Sequence, residues 1–221
     1  LQAIFILPLW CVIWFTGRME FRKFFVFPFI FLLTMLPALL FGKPISDILN
    51  VYVDQAGSSI AWQTVNYNSP SIFALLPYKV QVAPWIPKAT IFAAFLFVLA
   101  ILLLLFVHRC AVDDTALVLT GAALSLGVPF LLPYMHERYF FLGGVLLVVL
   151  ACSKLRFSLS AFGAELASLG GYHAYLARRY FLVLSIFGVT WAQLTEGLLM
   201  LFSLSSTLWF LWRELSSKHL S

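Results

Sequence analysis

Three charged residues, His136, Glu137 and Arg138, stand side by side within an otherwise apolar stretch from Leu117 to Cys152. Because a membrane helix needs about 20 apolar residues, this stretch predicts two spans with a reversal between them. A charge at the bilayer centre costs about 2.5–3.5 kcal/mol, which places the triplet at an interface or in a polar cavity. Arginine can hold a phosphate with two N–H donors, and histidine can donate a hydrogen bond or carry a proton. The triplet is therefore the first candidate site.

The elements around the triplet leave two interpretations open. The span that follows, residues 139–152, covers only about 21 Å of a ~30 Å hydrocarbon core, which predicts either a thinned bilayer or a pocket that draws Arg138 inward. In the functional interpretation Glu137 orients Arg138 through an ion pair rather than acting as a base. In the structural interpretation the charged side chains only reach from a helix end to the interface, with Tyr134 and Tyr139 as interfacial anchors.

The composition indicates an integral membrane protein. Of the 221 residues, 62% are hydrophobic and 10% are charged, and the mean hydropathy is +0.98, which excludes an ordinary soluble domain. The net charge of +5 comes from Lys and Arg beside apolar runs, so no nucleic-acid partner is predicted. The three cysteines are too far apart for a metal site or a disulfide framework. No cofactor is evident.

The order of apolar and polar runs predicts an all-α, polytopic membrane protein with about six or seven transmembrane helices. A transmembrane region over 1–156 carries a long loop at 42–88, and further membrane helices occupy 157–221. Residues 157–177 read either as a span or as a helix on the membrane surface, and 180–212 as one tilted span or a tight pair. The predicted spans before residue 157 are 1–16, 24–41, 89–107, 115–132 and 139–152.

The side of the membrane follows from basic residues and from parity. The Lys/Arg bias places 18–23, 109 and 154–156 in the cytoplasm, and therefore loop 42–88 and residues 133–138 on the exoplasmic side. Two spans separate this loop from the triplet. Both must therefore emerge on the same side, where they can build one site whichever way the chain is oriented. Within the loop, Asp47 is expected to cap a helix that lies on the membrane.

Two segments resemble a known family. Residues 133–139 read Pro-Tyr-Met-His-Glu-Arg-Tyr, similar to the Pro-x-Met-His-Glu-Arg-Tyr signature of bacterial multi-spanning glycosyltransferases of the GT-C class. These are related to the eukaryotic mannosyltransferase that adds the second mannose to glycosylphosphatidylinositol. Asn68 and Pro70 match the family's Asn-Ala-Pro-Asn segment, whereas Ser71 stands where the family has Asn. The resemblance covers roughly residues 24–152.

The resemblance implies a GT-C-like fold and a glycosyltransferase that works at the outer membrane face. A hexose, mannose or a related sugar, would pass from a polyprenyl-phosphate-linked donor to a lipid-linked or surface glycan acceptor. In GT-C enzymes the catalytic acidic residue lies in the first exoplasmic loop, which would be N-terminal to Leu1, so no catalytic residue is assigned here. The chain alone is expected to be inactive. The residues that the resemblance assigns to substrate binding are Asn68, His136, Glu137, Arg138 and Tyr139.

Other function classes stay open at this point. A transporter or flippase of polyprenyl-linked glycans would also need an arginine for the lipid phosphate, although it predicts inverted repeats with broken helices, which the sequence does not show. A non-catalytic scaffold subunit of a glycan assembly complex is a further alternative. An acidic residue in the loop upstream of Leu1 would favour the enzyme over both alternatives.

Weaker candidate residues lie outside the triplet. Asp113 and Asp114 could suggest a metal pair, but a solvated turn with Asp114 capping the next helix is the preferred interpretation. Two further pairs either line a polar cavity or belong to a surface helix. These pairs are Glu165 with His173 and Gln193 with Glu196.

Overall fold

The computed structural model describes residues 5–48, 50, 65–77, 82–109, 112–177, 185–186 and 189–217. Over these residues the protein is mostly α-helical, with a few short 3₁₀ turns and two pairs of two-residue strands. The chain forms two compact units, one of residues 11–63 and the other of residues 1–10 with 64–221. The second of these units contains helices from both sides of residue 157.

The smaller unit contains most of helix α1 (Leu7–Phe15) and the whole of α2 (Val26–Leu40). Helix α2 has Pro37 in its interior and exposes most of its large apolar side chains, as a helix facing lipid does. The predicted helix cap at Asp47 is wrong. Residues 45–48 are already helical, and the Asp47 backbone N–H donates to the Pro44 carbonyl at 3.1 Å. Residues 49 and 51–64 of the predicted surface helix and loop lie outside the described residues.

In its described residues the larger unit contains five long helices, which are α3 (Trp85–Val107), α4 (Asp114–Leu131), α5 (Phe141–Ser153), α6 (Ser158–Ala177) and α7 (Trp191–Ser217). Four of them pack side by side: α4 packs against α5, α5 against α6, α6 against α7, and α7 back against α4, while α3 packs against α4. Helices α6 and α7 are antiparallel, since Gly170 lies opposite Glu196 and Gly163 lies opposite Ser203. The α4–α5 pair is antiparallel as well, since Gly121 lies opposite Leu146 and Gly143 lies opposite Leu126.

Small residues bring α6 and α7 close together, as in helix pairs within membranes. A Cβ on Gly163 would lie 2.5 Å from Ser203 Oγ, and the hydroxyls of Ser160 and Ser206 are hydrogen-bonded at 2.6 Å. Helix α6 is therefore a member of the four-helix arrangement rather than an isolated surface helix. The region predicted as one span or a tight pair forms a single helix from Trp191.

Among the described residues, four helical segments are long and apolar enough to cross a membrane. They are residues 21–40, α3, α4 and α7. Helix α5 has 13 residues and is roughly 20 Å long at 1.5 Å per residue, so the segment after the triplet is a short helix as predicted, while its crossing of the membrane stays a prediction. The protein is therefore mostly α-helical, with several helices that are long and apolar enough to cross a membrane.

Asp113 and Asp114 lie where α4 begins, and the expected cap is displaced by one residue. The Oδ1 atom of Asp113 accepts a hydrogen bond from the backbone N–H of Ala116 at 2.9 Å, so Asp113 and not Asp114 is the cap. Asp113 has the extended backbone that a capping residue needs, while Asp114 is already the first helical residue. The preference for a turn over a metal pair agrees with this geometry.

The start of α4 belongs to one end of the four-helix arrangement, which we call the basal end. Lys154 Nζ, just after α5, donates to Thr115 Oγ1 at 3.3 Å, and Arg156 forms an ion pair with Glu214 near the end of α7. The opposite end, called the site end, carries residues 133–140. The antiparallel packing thus separates the basic residues 154–156 from the triplet by the length of a helix.

Candidate functional site

Segment 65–77 lies directly beside the charged triplet at the site end. Strand β1 (Asn66–Tyr67) pairs in parallel with β2 (Met135–His136). The Tyr134 backbone N–H also donates to the Val65 carbonyl at 2.9 Å. The expectation that the long loop and the triplet meet in one place is therefore confirmed for this segment.

Two residues with an unusual backbone conformation flank the strand pair. Asn68 has φ 52° and Tyr134 has φ 62°, and they are the two non-glycine residues with positive φ in the described part of the chain. Asn tolerates this left-handed conformation well, whereas Tyr rarely adopts it. Asn66 Oδ1 accepts a hydrogen bond from the Ser69 backbone N–H at 2.9 Å, which closes the turn around Asn68. Such strain concentrates at functional sites, and both instances lie here.

His136 lies between two tyrosine rings. Its imidazole stacks on Tyr67 with ring centres 5.0 Å apart and is 6.1 Å from the ring of Tyr139. Burial lowers the pKa of His136 below 6.5, and the charge of Arg138 lowers it further. At neutral pH His136 is therefore an uncharged hydrogen-bonding group, and Arg138 is the cation of the triplet.

Glu137 is the buried member of the triplet, with 3% of its surface exposed. Burial raises the pKa of Glu137, which its own backbone hydrogen bond and the charge of Arg138 partly oppose. Its Oε2 lies 3.9 Å from His136 Nδ1, but this is not a charged pair, since both pKa shifts disfavour the charged forms. Oε2 accepts no hydrogen bond from the described residues. The Glu137–Arg138 ion pair stays a prediction, supported by the effect of the Arg138 charge on the Glu137 pKa.

Arg138 is exposed, which does not agree with the alternative in which a pocket draws it inward. Residues 137–140 form a 3₁₀ turn, in which side chains three apart lie on the same side. Glu137 and Phe140 therefore both point inward and Arg138 points outward. The Arg138 guanidinium lies 6.0 Å from the ring centre of Tyr139, so the site presents a cation beside an aromatic ring.

The C-terminal helices hold segment 65–77 in place, which the sequence did not indicate. A Cβ on Gly171 of α6 would lie 2.5 Å from the Asn68 carbonyl oxygen and 3.1 Å from Glu137 Cβ. A Cβ on Gly197 of α7 would lie 3.1 Å from Ala74 Cβ. The one available signal was the presence of glycines inside helical patterns, since these often mark close packing.

The candidate site thus brings Asn68, His136, Glu137, Arg138 and Tyr139 to one end of the helices. Within the described ranges, no group of three or more His, Cys, Asp or Glu side chains could hold a metal ion. Comparison of the chain with protein-family models, curated proteins and solved structures gives no match.

Proposed function

We infer that this chain is the carrier-binding part of a multi-spanning membrane glycosyltransferase of the GT-C type, with six or seven spans and an exoplasmic site. The donor would be a polyprenyl-phosphate-linked hexose, mannose or a related sugar, and the acceptor a lipid-linked or surface glycan. The observation that carries this proposal is the exposed Arg138 beside Tyr139, on a strained, strand-paired turn formed by the residues that resemble the family signature.

The proposed reaction is a displacement at the anomeric carbon of the donor sugar. The acceptor hydroxyl oxygen bonds to this carbon, and the bond from the carbon to the phosphate oxygen breaks. The polyprenyl phosphate leaves with the electron pair. The hydroxyl proton passes to a carboxylate base, which the resemblance places in the first exoplasmic loop of such enzymes. In this scheme Arg138 stabilises the charge that grows on the leaving phosphate, through paired N–H donors, and neutral His136 supplies a further hydrogen bond.

Binding of a polyprenyl phosphate to the purified chain in detergent tests the role of Arg138. Because charged hydrogen bonds contribute about 1.5–3 kcal/mol, we expect Arg138→Ala to weaken binding by roughly tenfold or more. Arg138→Lys keeps the charge without the planar pair of donors and should fall between wild type and Arg138→Ala. Glu137→Gln should have a smaller effect, because Glu137 acts only through Arg138.

Arg213 offers a matched control at the basal end. It is also exposed, and its guanidinium lies 5.3 Å from the ring centre of Trp209. Arg213→Ala removes the same charge from a similar aromatic setting and should leave carrier binding unchanged. Equal affinity for wild type and folded Arg138→Ala would contradict the proposal, and equal losses from both arginines would indicate nonspecific attraction of the anionic lipid.

A further inference from the structure

A second polar group lies on α7, separate from the triplet. Gln193 and Glu196 are 1% and 6% exposed, in the first two turns of a helix that is long and apolar enough to span a membrane. Burying a polar side chain in such a helix costs free energy unless the side chain forms hydrogen bonds, and such side chains commonly mark functional positions. Neither residue belongs to the resemblance to glycosyltransferases, which ends near residue 152.

The start of α7 is firmly held, so these side chains have defined positions. The Thr190 hydroxyl accepts a hydrogen bond from the Gln193 backbone N–H at 3.2 Å, which caps the helix. Gln193 Nε2 donates to the Leu76 carbonyl at 3.4 Å. Gln193 thereby ties α7 to the segment that pairs with the triplet.

Two acceptor oxygens of this pair remain without donors. In the part of the chain that the structure describes, neither Gln193 Oε1 nor Glu196 Oε2 accepts a hydrogen bond. The two residues are three apart on one helix, so their side chains share a face. An amide oxygen and a carboxyl oxygen on one face provide acceptors for a molecule with several hydrogen-bond donors.

Consecutive glycines of α6 connect this pair with the candidate site. A Cβ on Gly170 would lie 2.5 Å from Glu196 Oε1, and a Cβ on Gly171 would lie 3.1 Å from Glu137 Cβ. Glu196 and Glu137 therefore pack against consecutive residues of one helix, which places the α7 pair beside the triplet.

A polyhydroxyl ligand fits this pair better than a metal ion does. Calcium requires six to eight oxygen ligands, and the described residues offer no group of three or more acidic, His or Cys side chains. Each sugar hydroxyl can instead donate one hydrogen bond to a fixed acceptor. Sites built from buried acceptors discriminate strongly against ligands that lack the hydroxyl, because the acceptors are then left unpaired.

We propose that Gln193 and Glu196 form a hydroxyl-binding subsite for a hexose that is bound next to the triplet. This proposal rests on the proposed glycosyltransferase function. The hexose belongs either to the donor, attached to the carrier phosphate, or to the glycan acceptor. Both sources present the same hydroxyl groups, so the experiment has one arm for each.

The experiment compares three probes in a detergent that contains no sugar: a polyprenyl phosphate, the same carrier bearing mannose, and methyl mannoside. For a donor subsite, we expect Glu196→Met, which has no strong side-chain acceptor, to weaken binding of the mannosylated carrier by up to about tenfold, the loss of one hydrogen bond, and to leave the bare carrier unaffected. For an acceptor subsite, only methyl mannoside binding falls. Gln193→Met, of similar size but without an acceptor, should act in the same direction.

Glu214→Met is the matched control, because Glu214 is an acidic residue of the same helix that already pairs with Arg156. It should change none of the three affinities. Unchanged sugar binding in both subsite variants, or loss of folding in both, would overturn the proposal. If wild type binds the bare carrier with no gain from mannose and does not bind methyl mannoside, the subsite fails while the carrier site stands. If methyl mannoside binds and the bare carrier does not, the carrier site fails while the subsite stands. Binding of no probe would overturn both.

Discussion

The basal end and the site end of the four-helix arrangement carry similar polar residues in different surroundings. At the basal end the polar groups meet protein partners close by. Asp113 caps α4, Lys154 donates to Thr115, and Arg156 pairs with Glu214. Such contacts are sufficient to explain why these residue types occur where helices begin, end and turn.

At the site end several polar groups have no such explanation. The buried oxygens Glu137 Oε2, Gln193 Oε1 and Glu196 Oε2 accept no hydrogen bonds from the described residues, and Asn68 and Tyr134 have positive φ. Unsatisfied buried groups and backbone strain both reduce stability. Their concentration at one end supports the proposal that this end binds a ligand, whereas the contacts at the basal end are accounted for by folding alone.

The most damaging single change should be Gly171→Ala. Its Cβ would lie 2.5 Å from a backbone carbonyl oxygen, that of Asn68, which cannot rotate away. We expect segment 65–77 to be displaced, carrier binding to fall more than tenfold, and stability to drop by about 1–3 kcal/mol, the usual cost of overpacking. Binding measurements and thermal unfolding in detergent check both effects.

Gly163→Ala is the matched control on the same helix. The new Cβ would also lie 2.5 Å from an oxygen, but this is Oγ of Ser203, which can change rotamer. It should lower stability without changing carrier binding. Similar loss of binding in both variants would show that α6 packing in general, and not the contact with Asn68, supports the site.

Much of the fold could be predicted from the sequence, because lipid imposes a simple rule on helix length and apolarity. The helices at residues 85–107 and 114–131 match the predicted spans closely. The meeting of the loop with the triplet followed from counting spans, and the strand pairing of Tyr67 with His136 agrees with it. Counting spans needs no knowledge of side-chain packing.

The rest of the site depends on packing that the sequence does not show. Which of Glu137 and Arg138 points inward follows from a 3₁₀ turn, not from either residue type. The role of the C-terminal helices follows from close contacts at Gly171 and Gly197. A glycine in a helical pattern indicates close packing without identifying the partner.

The half-buried His136 and the buried Glu137 should make the stability of the protein depend on pH in two opposed ways. The pKa of Glu137 is raised above 4.5, so it stabilises the fold below pH 4.5, and this contribution is lost as the pH rises through its folded pKa. The pKa of His136 is lowered below 6.5, so its contribution is present above pH 6.5 and is lost as the pH falls through its folded pKa.

Single variants separate these contributions. In Glu137→Gln only the contribution of His136 to the pH dependence remains, so the unfolding midpoint should fall on acidification below pH 6.5. In His136→Gln only the contribution of Glu137 remains, so the unfolding midpoint should rise as the pH falls toward 4.5. Each is compared with the double variant, which removes both groups. If the unfolding midpoint depended on pH in the same way in all three proteins, the burial of Glu137 and the partial burial of His136 would be contradicted.

The smallest effect is expected at the basal end. Glu214→Gln breaks the ion pair with Arg156 but leaves the guanidinium 4.8 Å from the ring centre of Phe157. Because ion pairs with a solvent-exposed partner contribute about 0–1 kcal/mol, thermal unfolding should change little and carrier binding not at all. Raising the salt concentration should shrink the difference in unfolding from wild type further, since salt screens exposed charges. A large loss of carrier binding in this variant would contradict the division between the two ends, because it would make a residue a helix length away part of the site.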